Sequence, residues 1–181
     1  MKREEKLYKL IKLKYTMTYE IPIVNKNDKI IKHKKRSEVL QSDICRVSAL
    51  WITNSNKEVL IAKRAMTKKN HPGLWGPAVA GTVEKDETYY QSIVKETEEE
   101  IGIKTEDVKE HKKDFTNGKH IHFTMWYILN IDKKIEEFTI QKEEVDEIRW
   151  ISYEKLKEEV KINPEKYLLS LGQKIKEGFF E

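Results

Sequence analysis

Gly81-Thr-Val-Glu-Lys-Asp-Glu87, Thr88-Tyr-Tyr-Gln-Ser-Ile-Val-Lys95 and Glu96-Thr-Glu-Glu-Glu100-Ile-Gly102-Ile103 follow one another without a break, and their reading decides the fold. Thr88 with Gln91 three residues on has the spacing of a capping box, so a helix is expected to start there. Its apolar face is expected to carry Tyr90, Ile93, Val94 and Ile101. Four carboxylates fall within residues 96–100, and Glu96, Glu99 and Glu100 stand at i, i+3 and i+4, on one face. Like charges that close repel. A divalent cation among them removes the conflict, and hard carboxylate oxygens suit Mg²⁺ or Mn²⁺.

The segment resembles the Nudix box, G-x5-E-x7-R-E-U-x-E-E-x-G-U, where U is a bulky apolar residue. Gly81, Glu87, Glu96, Glu99, Glu100, Gly102 and Ile103 fall in register without a gap. Two positions depart from it. Lys95 stands for Arg, which keeps the charge and loses the planar fork, and Thr97 stands for an apolar residue. Thr97 is expected to face the sheet beneath the helix. A solvated Glu/Lys helix would explain any single glutamate here, but not the two glycines at their positions.

The chain has 181 residues, enough for one domain with a real core. Charged residues make up 36% and the net charge is +4, a mild balance that draws in a polyphosphate but does not argue for nucleic acid. No run is long enough to span a membrane. Residues 1–18 alternate charged and apolar residues, unlike a secretory signal, and are expected to form a basic arm or short helix. Residues 19–181 are expected to form a single domain. The lone cysteine, Cys45, excludes an intrachain disulfide and fits a reducing cytoplasm. A homodimer is left open.

Hairpins are expected from 19–24 with 29–33 and from 46–53 with 58–64. A short strand at 77–83 leads into the box helix. Asn117-Gly118 is a hairpin signal before a strand at 121–129. A strand at 147–152 and a helix at 153–160 follow. Asn163-Pro164 then opens a last helix, with Tyr167, Leu168, Leu171 and Ile175 on one side. This pattern suggests an α/β/α sandwich around a mixed sheet, the architecture that the Nudix resemblance also implies.

The resemblance implies hydrolysis of a small-molecule diphosphate linked to some group X, with Mg²⁺ as cofactor and Mn²⁺ as the alternative. It makes Glu96, Glu99 and Glu100 the metal ligands, with the Gly81 carbonyl contributing. Glu96 is the favoured general base. A later loop offers Glu143, Glu144 or Glu147 instead, with Glu144 taken as its representative. Glu87 supports Lys95 or stands behind the ligands. Upstream, Arg64-Ala-Met-Thr-Lys68-Lys69-Asn-His-Pro-Gly73-Leu-Trp75 is similar to type I isopentenyl diphosphate isomerases of the same superfamily, which makes Arg64, Lys68 and Lys69 candidate phosphate ligands and Trp75 a candidate substrate platform. Lys68 and Lys69 could equally solvate a loop, and Trp75 could belong to the core. The isomerase residues themselves are missing: the nucleophilic cysteine falls on Ala80, and the histidine ligands fall on Cys45 and Thr82. The proline signatures of NADH and ADP-ribose cleavers are also missing, and the coenzyme A pattern matches weakly. His120 and His122 share a strand face and read as ordinary surface or core groups, as do Trp51, Trp126, Tyr127 and Trp150. The alternatives kept are a module that binds a nucleotide or metabolite without cutting it and an isomerase with a different acid-base pair.

Overall fold

The computed structural model describes residues 19–180; the arm expected at 1–18 lies outside them. The elements in chain order are β1 (Glu20–Val24), β2 (Ile30–Lys35), β3 (Ile44–Thr53), β4 (Glu58–Arg64), β5 (Trp75–Pro77), β6 (Val79–Thr82), α1 (Tyr89–Ile101), β7 (Lys109–Asn117), β8 (Ile121–Asn130), β9 (Val145–Ser152), α2 (Tyr153–Ile162) and α3 (Leu169–Lys176). Both expected hairpins form, β1 with β2 and β3 with β4. In the first, the Asn25 side chain accepts from the Asn27 and Lys29 amides, which closes the turn.

β3 is the hub. It runs parallel to β8 along its whole length and antiparallel to β6 over Val47–Leu50, and its ends meet β1 and β4. β4 carries β9 on one side and β5 on the other. The sheet is therefore mixed. Period-two alternation divides its side chains. Leu50, Ile52, Leu60 and Ala62 pack beneath α1 with Ile93 and Ile101. Trp51, Val59 and Ile61 point the other way, to Leu156 and Val160 of α2 and Leu171 and Ile175 of α3. Helices thus cover both faces, as the α/β/α expectation required. No helix among the described residues is long and apolar enough to cross a membrane.

Three local expectations need correction. The strand expected at 77–83 is two, β5 and β6, because the segment leaves β4 at Pro77 and joins β3 from Val79. The hairpin signalled by Asn117-Gly118 forms, with β7 ending at Asn117 and pairing with β8, although the polar sequence of β7 gives little other sign of a strand. The last helix is interrupted: Pro164–Lys166 makes a single 3₁₀ turn, and Tyr167 then runs extended beside Trp75 before α3 begins. In α1, Tyr90 is exposed and its hydroxyl donates to Glu106 O, so it leaves the apolar face; Thr97 is fully buried, as expected. The Thr97 hydroxyl donates to Ile93 O at 2.6 Å, so no polar atom is stranded.

Candidate active site

α1 is fixed at both ends. Thr88 and Gln91 form the reciprocal capping box, and Gly102 closes the C-terminus with φ 72°, its amide donating to Glu98 O and that of Ile103 to Thr97 O. Near its start, a buried Ser48–Ser92 hydrogen bond of 2.9 Å ties α1 to β3. This lays the glutamate face of α1 along β6. Glu96 packs directly over Gly81, where any Cβ would overlap its carboxylate, so the glycine makes room for the acid. Glu100 accepts a hydrogen bond from the Ala80 amide at 3.3 Å. Glu99 lines the same cavity and is exposed, and Glu98 at the rim pairs with Lys104.

The opposite wall comes from the loop before β9. Thr139 N donates to Ile101 O and Gln141 N to Glu100 O, which fastens the loop to the end of α1. Ala65 N donates to Glu144 O at 3.0 Å, and the Glu144 carboxylate takes the Lys68 ammonium. Arg64, held through Nε to Asn70 O at 3.1 Å, lines this wall as well. The cavity between these walls is open to solvent and has a volume of about 920 Å³, the size of a small-ligand site.

Crowding sets the protonation chemistry. Burial, joined by the charges of Glu99, Glu144 and Glu84, raises Glu96 from 4.5 to about 7 against the pull of Lys95. Burial and the charges of Glu96 and Glu144 drive Glu100 well above the ordinary carboxylate range, against the Ala80 amide and Lys68. Burial works against the Lys95 charge, but hydrogen bonds to Glu87 at 2.6 Å and Glu84 at 2.9 Å win and raise it. One ammonium thus reaches both carboxylates.

The cavity brings together Gly81, Glu96, Glu99, Glu100, Arg64, Lys68, Glu144 and Lys95. Glu87 stays behind Lys95 as its partner. Two expected substrate contacts lie outside the cavity. Lys69 is exposed beyond its wall, because Lys68 is the lysine turned toward Glu144. Trp75 sits against the second core with Arg149 over its ring at 4.5 Å. Glu143 lines the cavity, whereas Glu147 is exposed on β9 away from it. Sequence reasoning missed Tyr19, Arg36, Thr82 and Glu84, all of which line it. Glu84 could have been suspected as a partner for Lys95; Arg36 is hidden in a lysine-rich stretch.

Among the described residues no three His, Cys, Asp or Glu side chains already stand at metal-holding separation. The donor set nevertheless fits a divalent ion. It consists of hard oxygens, two of them on carboxylates held partly neutral by burial and by one another, over a glycine that clears their approach.

A family model described as NUDIX domain matches residues 45–171. An uncharacterised Nudix hydrolase of Listeria innocua is 27% identical over 139 residues, 76% of this chain and 82% of that protein. The uncharacterised Nudix hydrolase YfcD of Escherichia coli K12 is 28% identical over 138 residues, 75% of each chain. In fold, the chain is similar to DR0079 of Deinococcus radiodurans, with a TM-score of 0.75 and 19% identity over 87% of this chain and 98% of that one. The chain belongs to the Nudix family. That places it among hydrolases that act on pyrophosphate bonds, a family that generally uses divalent metals. These relatives establish the superfamily and not the isomerase-like branch within it.

Proposed function

We propose that the chain is a Mg²⁺-dependent hydrolase, with Mn²⁺ as the alternative ion, that cleaves the diphosphate of a nucleoside diphosphate-X or related small molecule. The observation that carries this reading is the convergence of Glu96, Glu99 and Glu100 from one helix face with Arg64 and Lys68 on one cavity. The three glutamates, with the Gly81 carbonyl, would hold the ion. When bound, it offsets the diphosphate charge and acidifies a coordinated water.

The chain's own groups do the rest. Arg64 offers a planar fork to a phosphate and Lys68 a mobile point charge. A carboxyl near 7, as at Glu96, is matched to taking a proton from water at neutral pH. Glu144 is the second candidate base. An arriving phosphate competes for the Lys68 ammonium and so releases the Glu144 carboxylate toward the cavity. In hydrolysis the water oxygen bonds to phosphorus and the bridging P–O bond breaks. The base takes the water proton, and the leaving phosphate carries off the electron pair.

Release of product from a panel of nucleoside diphosphate-X compounds, with and without Mg²⁺, tests the proposal. Turnover that depends on the ion and fails in Glu99→Gln supports it. A folded, metal-binding protein that cuts none of them overturns it and leaves a binding module. The Lys-for-Arg change at 95 does not favour that module, because Lys95 still holds both Glu84 and Glu87. The methyl side chain at Ala80 offers no thiol for a cysteine-dependent isomerase, and an isomerase using another acid-base pair would instead show deuterium uptake from heavy water into an isopentenyl substrate.

A further inference from the structure

The two ends of β5 and β6 meet different cations, and only one end has a role so far. At the Trp75 end, Arg64 N donates to Leu74 O at 3.0 Å, and Lys68 enters the cavity beside Glu144. At the Thr82 end, Arg36 Nη1 donates to Thr82 Oγ1 at 2.6 Å. The glutamates lie between, Glu100 on Ala80 and Glu96 over Gly81. Arg36 N also donates to Tyr19 O at 2.9 Å, and both residues line the cavity. Burial pushes the Tyr19 phenol up, Arg36 opposes this, and Glu84 and Glu96 add to it, so these groups sit within reach of one another's charge.

Arg36 is exposed, and among the described residues it pairs with no carboxylate. A merely solvated arginine needs no such tether. The Thr82 bond uses one of five N–H donors and holds the guanidinium against the cavity wall with the others available. A planar, permanently charged fork in that position suits a phosphate or a carboxylate.

We infer that Arg36 is a specificity-determining residue, taking a further anionic group that the substrate carries beyond the diphosphate held between Arg64, Lys68 and the glutamates. A substrate with an uncharged X would cover the guanidinium without pairing it, and is selected against for that reason. The inference relies on the proposed function for which bond is cut, but the anion contact itself can be measured without turnover.

The experiment titrates the full chain with pyrophosphate and with tripolyphosphate in Mg²⁺ by calorimetry, with phosphate release followed in parallel so that binding heat is separated from any hydrolysis, using wild type, Arg36→Ala and Arg36→Lys. Thermal melting is expected to be unchanged, since the side chain is exposed. Wild type is expected to prefer tripolyphosphate. Arg36→Ala should lose about tenfold in affinity for tripolyphosphate, the size of one charge-assisted contact, and less than about twofold for pyrophosphate. Arg36→Lys should recover part of the loss. Equal losses for both anions, or none for either, overturn the inference and leave the hydrolase reading standing. Failure of wild type to bind either anion overturns it as well. An Arg36-dependent preference in a protein that hydrolyses nothing supports this inference while removing the hydrolase.

Discussion

Glu96→Gln should stabilise the metal-free protein. Burial and the neighbouring acids raise the Glu96 carboxyl from 4.5 to about 7 in the fold. In the unfolded chain it titrates near its ordinary value. A raised acid is neutral at no expense below about 4.5, since both states then hold the proton. Between 4.5 and 7 the unfolded chain releases its proton while the native state keeps it, so stability falls as pH rises, and above 7 the loss is complete. Moving a carboxyl from 4.5 to about 7 corresponds to about 3 kcal/mol at saturation. Glutamine keeps the shape and removes the charge. In EDTA at pH 8, thermal melting should therefore rise by roughly 6–12 °C, taking about 2–4 °C per kcal/mol for a chain of this size. At pH 4.5 the gap should nearly close. Excess Mg²⁺ should raise wild type by about 3 kcal/mol at a hundred times its dissociation constant and should raise the variant much less, which narrows or reverses the order. A variant no more stable than wild type in EDTA at pH 8, or one whose advantage persists unchanged at pH 4.5, would refute the reasoning.

Glu99→Gln should lower kcat/KM by about 10²-fold or more while leaving circular dichroism unchanged, since an exposed donor is removed from the cavity. Gly81→Ala should weaken Mg²⁺ affinity and destabilise by about 1–3 kcal/mol, because its methyl group would displace the Glu96 carboxylate; metal-titrated kinetics and urea melts read both. Asp28→Asn should destabilise by about 2 kcal/mol at pH 7, because it breaks the pairs with Arg46 at 2.7 Å and Lys113 at 2.5 Å. Burial pushes Asp28 up, but hydrogen bonds from Lys113 and Arg46 win and hold it low. Its contribution is thus present above about 3.8 and is lost as pH falls through the native value, so acid titration of the two proteins should make their curves converge.

What the sequence disclosed is what local chemistry determines. The start of α1 follows from Thr88 and Gln91 alone, and its end from Gly102, whose left-handed backbone few other residues adopt. The two layers follow from alternation in β3 and β4, which sends Leu50 and Trp51 to opposite sides. The glutamate face follows from helical spacing. Choices made by distant partners were not legible. Trp75 reads equally as platform or core until Arg149 arrives from β9, more than 70 residues on, to cover its ring. Lys68 and Lys69 are indistinguishable until Glu144 selects one of them. Asn163-Pro164 begins a turn of helix, but the pairing of Tyr167 with Trp75 decides that the turn stops.

The C-terminal turn of α1 is a poor place for acids on two counts. The backbone carbonyls there present the negative end of the helix dipole, and no basic residue occupies the last turn to offset it. Glu98, Glu99 and Glu100 crowd three more carboxyl groups onto it. The only nearby cation on the helix, Lys95, is turned away from them to Glu84 and Glu87. Yet the surroundings tighten the cluster instead of relieving it. Glu96 is pressed onto Gly81, Glu100 is drawn to the Ala80 amide, and the loop fastened to Ile101 and Glu100 brings Glu144 in from the opposite wall. Selection for stability alone would have scattered these charges into solvent, as it does with Glu98 and Lys104 at the rim. Spending fold stability on an acidic pocket that positive charge can repay is the behaviour expected of a metal site, and it is why Glu96 governs both how firmly the protein folds and how well it would work.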